Sequence, residues 1–175
     1  MSDIRIIVSS ARPAQTGPSA FRVEKLRVPA IVNLSTGDSV MGCFFVAGAS
    51  AQGSVPERVV EILNAEGGFF PFEVDDDASV RTVLYNRRQI LTVSLTDAEA
   101  RRDPGYDIAT PREVSVHLSD GRRLSGSVRI YRPEGRDRLS DWARHPDRFR
   151  YVEIGDSTVI INVEHVIELS EDAPP

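Results

Sequence analysis

Val32-Asn33-Leu34-Ser35-Thr36-Gly37, followed after four residues by Gly42, returns as Val116-His117-Leu118-Ser119-Asp120-Gly121, again followed after four residues by Gly126. Val32/Val116, Leu34/Leu118, Ser35/Ser119, Gly37/Gly121, Val40/Leu124 and Gly42/Gly126 all share one offset. The match continues outward in unbroken order. Arg58, Val59, Glu61 and Ile62 face Arg138, Leu139, Asp141 and Trp142, and Phe69, Phe72 and Val74 face Phe149, Val152 and Ile154. Val83, Leu84, Asn86, Ile90 and Val93 then face Val159, Ile160, Asn162, Val166 and Leu169. The small shifts between these blocks fall at loop-like places. The chain is an internal duplication of one short module.

The period of each block tells what the module is made of. Val32 and Leu34 alternate with Asn33 and Ser35, the signature of a half-buried strand. Ser-Thr-Gly and Ser-Asp-Gly supply a hairpin turn, because glycine accepts the positive φ that tight turns demand. The second strand, Val40 to Val46 or Leu124 to Tyr131, carries Gly42 or Gly126 inside it, where glycine marks a bulge or bend that curls a small sheet. Ser54-Val55-Pro56-Glu57 has the form of a helix start, with Ser54 as N-cap. Val59, Ile62 and Leu63 follow at helical spacing; Leu139, Trp142 and Ala143 repeat that stripe, which His145-Pro146 ends. Three further strands are expected in each copy: Phe69–Val74, Val80–Tyr85 and Ile90–Leu95, then Phe149–Ile154, Thr158–Ile161 and Val166–Leu169. Phe69 and Phe149 count as matched core positions.

This divides the chain into an N-terminal strand and flexible arm (1–27), a first module (28–95), a polar linker (96–112), a second module (113–170) and a disordered tail (171–175). Within the first part, Ile4–Val8 is a candidate extra edge strand and 9–20 the arm. The fold class expected is mainly β: two tandem five-stranded small barrels, each with a short helix between strands 2 and 3.

The pattern Val-x-Leu-x-x-Gly-x-x-x-x-Gly, with a closing apolar strand, a tight polar turn and a final apolar strand, resembles the Sm-like fold. The closing part reads Val83-Leu84-Tyr85-Asn86-Arg87-Arg88-Gln89-Ile90 and Val159-Ile160-Ile161-Asn162-Val163-Glu164-His165-Val166. The resemblance covers most of each copy and rests mainly on turn and core positions. It implies small barrels that associate through edge strands. The Asp-x-x-x-Asn loop and the Arg-Gly turn of Sm-like RNA binders are missing, so no uridine site transfers to named residues.

Composition narrows the function. Of 175 residues, 41% are hydrophobic and 27% charged, and the net charge is −5. An acidic whole argues against general nucleic-acid binding, which needs excess cations. One stretch departs from it: Arg122 to Arg150 holds nine arginines against Glu134, Asp137, Asp141 and Asp147. Lys25 is the only lysine and Cys43 the only cysteine, which excludes an intramolecular disulfide and a thiolate cluster within one chain. The start lacks a basic segment with a long apolar core, and no run of about 18 apolar residues exists. The expectation is a soluble cytoplasmic protein with no membrane partner. His117, His145 and His165 show no metal-ligand spacing, and no GxSxG, Walker loop or GxGxxG is present. Asp75-Asp76-Asp77 reads as a solvated loop, not a calcium site. Neither an enzyme activity nor a cofactor or metal is expected.

The candidate binding surface comprises Asn86, Arg87 and Arg88 at one closing turn, with Arg122, Arg123, Arg144 and Arg148 in the basic stretch. Each has an ordinary reading too. Asn86 and Asn162 suit turn positions in the αL conformation. Arg58–Glu61 and Arg138–Asp141 have the spacing of helix-face ion pairs. Tyr131, Trp142 and Phe149 among arginines suit base stacking, but Trp142 and Phe149 fall at core positions. The leading expectation is a non-enzymatic interaction or assembly protein whose partner is another protein or itself. The alternatives are a nucleic-acid-binding module using Arg122–Arg150, and a small-ligand sensor with its site between the copies.

Overall fold

The structure, a computed structural model, describes residues 25–49, 55–76, 79–131 and 137–171. The expected strand at Ile4–Val8, the arm, Ser54, Asp77 and the last four residues lie outside these. Ten strands run in order: β1 Lys25–Leu34, β2 Ser39–Ala47, β3 Phe69–Asp76, β4 Ser79–Asn86, β5 Ile90–Leu95, β6 Thr110–Leu118, β7 Arg123–Ile130, β8 Phe149–Ile154, β9 Ser157–Asn162 and β10 Val166–Glu171. Helix α1 (Val59–Asn64) lies between β2 and β3, and α2 (Leu139–Ala143) between β7 and β8.

The alternation seen in sequence sets the buried faces. Ala30 and Val32 of β1 and Phe44 and Val46 of β2 point inward and are buried, while Ile31 and Met41 face out as a cross-strand pair. The two opening turns are built alike. Leu34 N–H donates to Asp38 O at 2.9 Å and Leu118 N–H to Arg122 O at 2.9 Å, with Gly37 and Gly121 at φ +93° and +87°. Gly42 and Gly126 act by close approach instead. β2 touches β3 in register only at Gly42/Val74 and Cys43/Glu73, and β7 touches β8 at Ser127/Glu153. A Cβ on Gly42 would overlap the Glu73 carbonyl oxygen and stand 2.7 Å from Phe72. The expected bend is therefore a crossing of two strands that only glycine permits.

All ten strands form one antiparallel sheet in the order β10-β6-β7-β8-β9-β5-β1-β2-β3-β4. The fold is mainly β, as expected, but neither set of five closes into a barrel. The physical reason is that β5, the strand that would close the first set, gives its free edge to β9 of the second copy. The sheet is open, with β10 and β4 at its ends.

Two cores follow from the two copies. One holds Val32, Phe44, Phe70, Phe72, Leu63 and Val93, and also takes Phe149 and Ile160 from the second copy. The other gathers Val114, Val116, Leu118, Val128, Trp142 and Ile161. In the first, Phe44 stacks on Phe70 at 5.4 Å and meets Phe72 edge-on at 5.0 Å. Phe149 is 1% exposed, whereas its counterpart Phe69 is 59% exposed. The core reading of Phe69 is thus corrected: among the described residues no strand lies beyond β4 to cover it.

Other local expectations change as well. Helix α1 begins at Val59, with Arg58 in the N-cap position, so Pro56 and Glu57 precede the helix instead of opening it. The stretch read as a linker carries two 3-10 turns, Glu99–Arg102 and Tyr106–Ile108, and β6 already starts at Thr110.

Candidate functional site

A cleft of about 780 Å³ opens where α1, the 99–108 connection, β7, α2 and β8 meet. Its floor is apolar, from Val60, Ala100, Ile130, Trp142 and Phe149, and its rim is charged. The rim charges are engaged with one another. Arg58 pairs with Glu61 at 2.8 Å and with Asp103, and Arg129 bonds Glu153 at 3.2 Å and the Tyr106 hydroxyl at 2.9 Å. Burial lowers the affinity of Arg58 for its proton, but hydrogen bonds to Asp103 and Glu61 outweigh this and hold it above the ordinary arginine value. Burial raises the Tyr131 hydroxyl, aided by Asp103.

Beside the cleft sits a carboxylate hidden in sequence. Glu99 is 1% exposed; its Oε2 accepts from Val59 N–H at 3.0 Å and its Oε1 from Val60 N–H at 3.2 Å. Tyr151 Oη donates to Oε1 at 2.9 Å. The connection thus supplies the acceptor that the first turn of α1 lacks within its own segment. Burial pushes the Glu99 carboxyl up, and these hydrogen bonds partly offset it. Tyr151 is raised by burial and then by the nearby Glu99 charge. No signal in Thr96–Arg102, a polar run, marks Glu99 as buried.

The predicted surface residues scatter. Arg87 is 5% exposed and points inward: it donates to the carbonyls of Leu63 at 3.1 Å, Gly67 at 3.0 Å, Ile62 at 2.9 Å and Phe69. It closes the C-terminal end of α1. Arg150 performs the same task on α2, donating to Asp147 O at 2.7 Å and to the carbonyls of Trp142 and His145. These two arginines occupy non-equivalent positions. Arg87 lies over the Phe70 ring, and in the second copy the Phe70 position is Arg150 itself while the Arg87 position is Val163. Arg88 is exposed, and its carbonyl meets His165 Nε2 at 2.8 Å. Arg122 is tied to Asp120, Arg148 to Glu164 at 2.9 Å, Arg123 lies 3.7 Å from Glu168, and Arg144 is exposed. Arg87 and Arg148 line one shallow cleft with Glu164, while Arg122 and Arg123 sit apart at the β6–β7 turn.

Asn86 and Asn162 do cap their turns, but not in the αL conformation. Their φ values are −74° and −88°, and each side-chain oxygen accepts the N–H two residues on. Asn162 does more. It is fully buried, and its amide donates to Ile90 O at 2.9 Å and Arg87 O at 3.4 Å. It thereby clamps the second copy to the first.

That clamp belongs to the best-built contact between the copies. β5 and β9 pair as Thr92/Ile161, Val93/Ile160, Ser94/Val159 and Leu95/Thr158. Asn64 of α1 reads the backbone of Phe149 on both sides, donating to its carbonyl at 2.8 Å and accepting its N–H at 2.9 Å. Among the described residues no cluster of His, Cys, Asp or Glu is arranged to hold a metal. No described helix is long and apolar enough to cross a membrane. Comparison of the chain with protein-family models, curated proteins and solved structures gives no match.

Proposed function

We propose that this chain is a non-enzymatic interaction and assembly protein, made of two divergent Sm-like modules that associate through strand edges. One observation carries this reading: the two modules are already joined edge to edge, through β5 and β9. Each module repeats one strand order, with its fifth strand beside its first and its fourth at the far edge. That order, the helix between the second and third strands, and the glycine crossings support the Sm-like reading of an open, strongly bent module. What one module does to the next, the sheet ends β4 and β10 are placed to do to a further partner.

Four of the nine arginines of the basic stretch, Arg122, Arg129, Arg148 and Arg150, are engaged with internal partners, which counts against the nucleic-acid reading. Light scattering across a concentration series, with pull-down from a lysate of the source cells, tests the proposal. Concentration-dependent growth in mass or a stoichiometric partner is expected; a strict monomer without a partner would sink it.

A further inference from the structure

We propose that the cleft between the copies is a binding site for a small organic cation, an amine or guanidinium carried on an apolar body. The site owes nothing to the sheet ends and stands whether or not the chain self-associates. Both copies build it. One wall is α1 with the 99–108 connection; β7, β8 and α2 of the second copy form the rest. The walls are tied to each other: Tyr106 Oη donates to Glu153 Oε1 at 2.6 Å, and Tyr151 Oη to Glu99 at 2.9 Å. A volume of about 780 Å³ falls among small-molecule sites, which span about 300–1,000 Å³ and combine a mostly apolar lining with a few convergent polar groups.

The duplication supplies a comparison within one chain. By the offsets that match Gly42 to Gly126 and Phe69 to Phe149, the cleft residues Ser127, Arg129, Tyr131 and Tyr151 answer to Cys43, Phe45, Ala47 and Pro71. His145 and Asp147 answer to Ala65 and Gly67. The same strands form with either set, so the backbone does not demand the polar one. Arg129 and Tyr151 have a structural task, since they bond the connection through Tyr106 and Glu99. His145 and Asp147 have none of that kind. Among the described residues the His145 ring meets only Asp147, its carboxylate at 3.5 Å and its N–H at 3.3 Å.

Charge then selects the ligand. Five carboxylates line the cleft, from Glu61, Asp103, Asp141, Asp147 and Glu153, against three arginines. Each arginine is committed. Arg58 serves Glu61 and Asp103, Arg129 serves Glu153, and Arg150 serves the carbonyls at the end of α2. Two carboxylates on the α2 side are left over. Asp141 holds the place of Glu61, but among the described residues no arginine pairs with it; it accepts the Arg138 N–H at 3.3 Å. Asp147 has only His145, which is a cation only when protonated. An anion entering the cleft meets surplus negative charge and no uncommitted arginine. A cation meets two carboxylates above an apolar floor, where partial exclusion of water strengthens the attraction. Its apolar body then lies on the floor with Trp142 and its charged head at the rim with Asp141 and Asp147.

The chain carries its own reporter. Trp142 is the only tryptophan and lies on the cleft floor, so its emission follows occupancy without a label. The full chain is titrated with three probes that share one body: phenethylamine, phenethyl alcohol and phenylpropionate, a cation, a neutral molecule and an anion. The thermal midpoint is the second readout, since a ligand of the folded state raises it. The amine is expected to bind about tenfold more tightly than the alcohol, the worth of two exposed ion pairs, and the propionate more weakly than the alcohol. Asp141→Asn/Asp147→Asn brings the amine down to the affinity of the alcohol. Alcohol binding stays unchanged in that variant, which shows that the cleft itself is intact. Equal affinity for all three probes, a preference for the propionate, or amine binding indifferent to the double substitution overturns the site. So does a chain in which no probe moves either the Trp142 emission or the thermal midpoint.

Discussion

Replacing Glu99 by alanine removes one acceptor group from two buried backbone donors and one part-buried hydroxyl. Val59 N–H, Val60 N–H and the Tyr151 hydroxyl lose partners at 3.0, 3.2 and 2.9 Å. A buried donor left unsatisfied costs about 1–3 kcal/mol. Val59 is fully buried and does not line the cleft, so its N–H bears about 2 kcal/mol. Val60 and Tyr151 border the cleft, where water reaches them, and each bears about 1 kcal/mol. Against this stands the relief of removing a carboxylate whose burial raises its own pKa. The net expectation is a loss of about 3 kcal/mol, read from urea unfolding at unchanged m value. Tyr151→Phe deletes one donor along with its bond and costs about 1 kcal/mol, and the two changes together cost less than their sum, since they share a bond. A Glu99→Ala loss below about 1 kcal/mol would refute the idea that the 99–108 connection caps α1.

Further outcomes follow from the same geometry. Because burial raises the Glu99 pKa in the folded state, the stability this group contributes is complete below its unfolded value and falls as pH rises through the folded value. The stability of the unmodified chain relative to Glu99→Gln therefore declines with rising pH across the acid range, and a gap that widens instead would contradict the burial argument. Gly126→Ala places a methyl group onto the Glu153 carbonyl oxygen and within 3.1 Å of Ile154, so about 3 kcal/mol of stability is lost, measurable as a drop in thermal midpoint. Arg87→Lys loses about 2–3 kcal/mol in urea unfolding, nearly as much as Arg87→Ala, because one ammonium cannot reach the four carbonyls that the guanidinium fork holds.

The periodicities in the chain are local, and they fixed the local outcomes. Alternating Val32 and Leu34 and the two Gly-centred turns gave the hairpins, and helical spacing at Val59, Ile62 and Leu63 gave α1. The duplication, read from matched spacings, foretold two copies of one element order. Positions that depend on distant neighbours were not legible in this way. Phe69 and Phe149 are the same residue at matched places, yet one is exposed and one buried: each pairs with the next strand of its own module, but β9, the partner of Phe149, has β5 of the other module beyond it, and among the described residues β4 has no such neighbour. Arg87 looks like a surface cation in sequence and is a buried staple, since the α1 carbonyls it serves, of Leu63 and Ile62, come from 24 and 25 residues earlier. Glu99 sits in a polar run whose burial is imposed by Val59, Val60 and Tyr151, brought together only by folding.

Sequence by itself determined the modules: their strands, turns, short helices and repetition, all set by neighbours within a few residues. Tertiary structure decided how the modules are joined. A strand edge is a row of backbone N–H and C=O groups, which side-chain patterns do not announce, and either edge of β5 was open to a partner. The chain gave that edge to β9, leaving the sheet open and β4 and β10 at its ends.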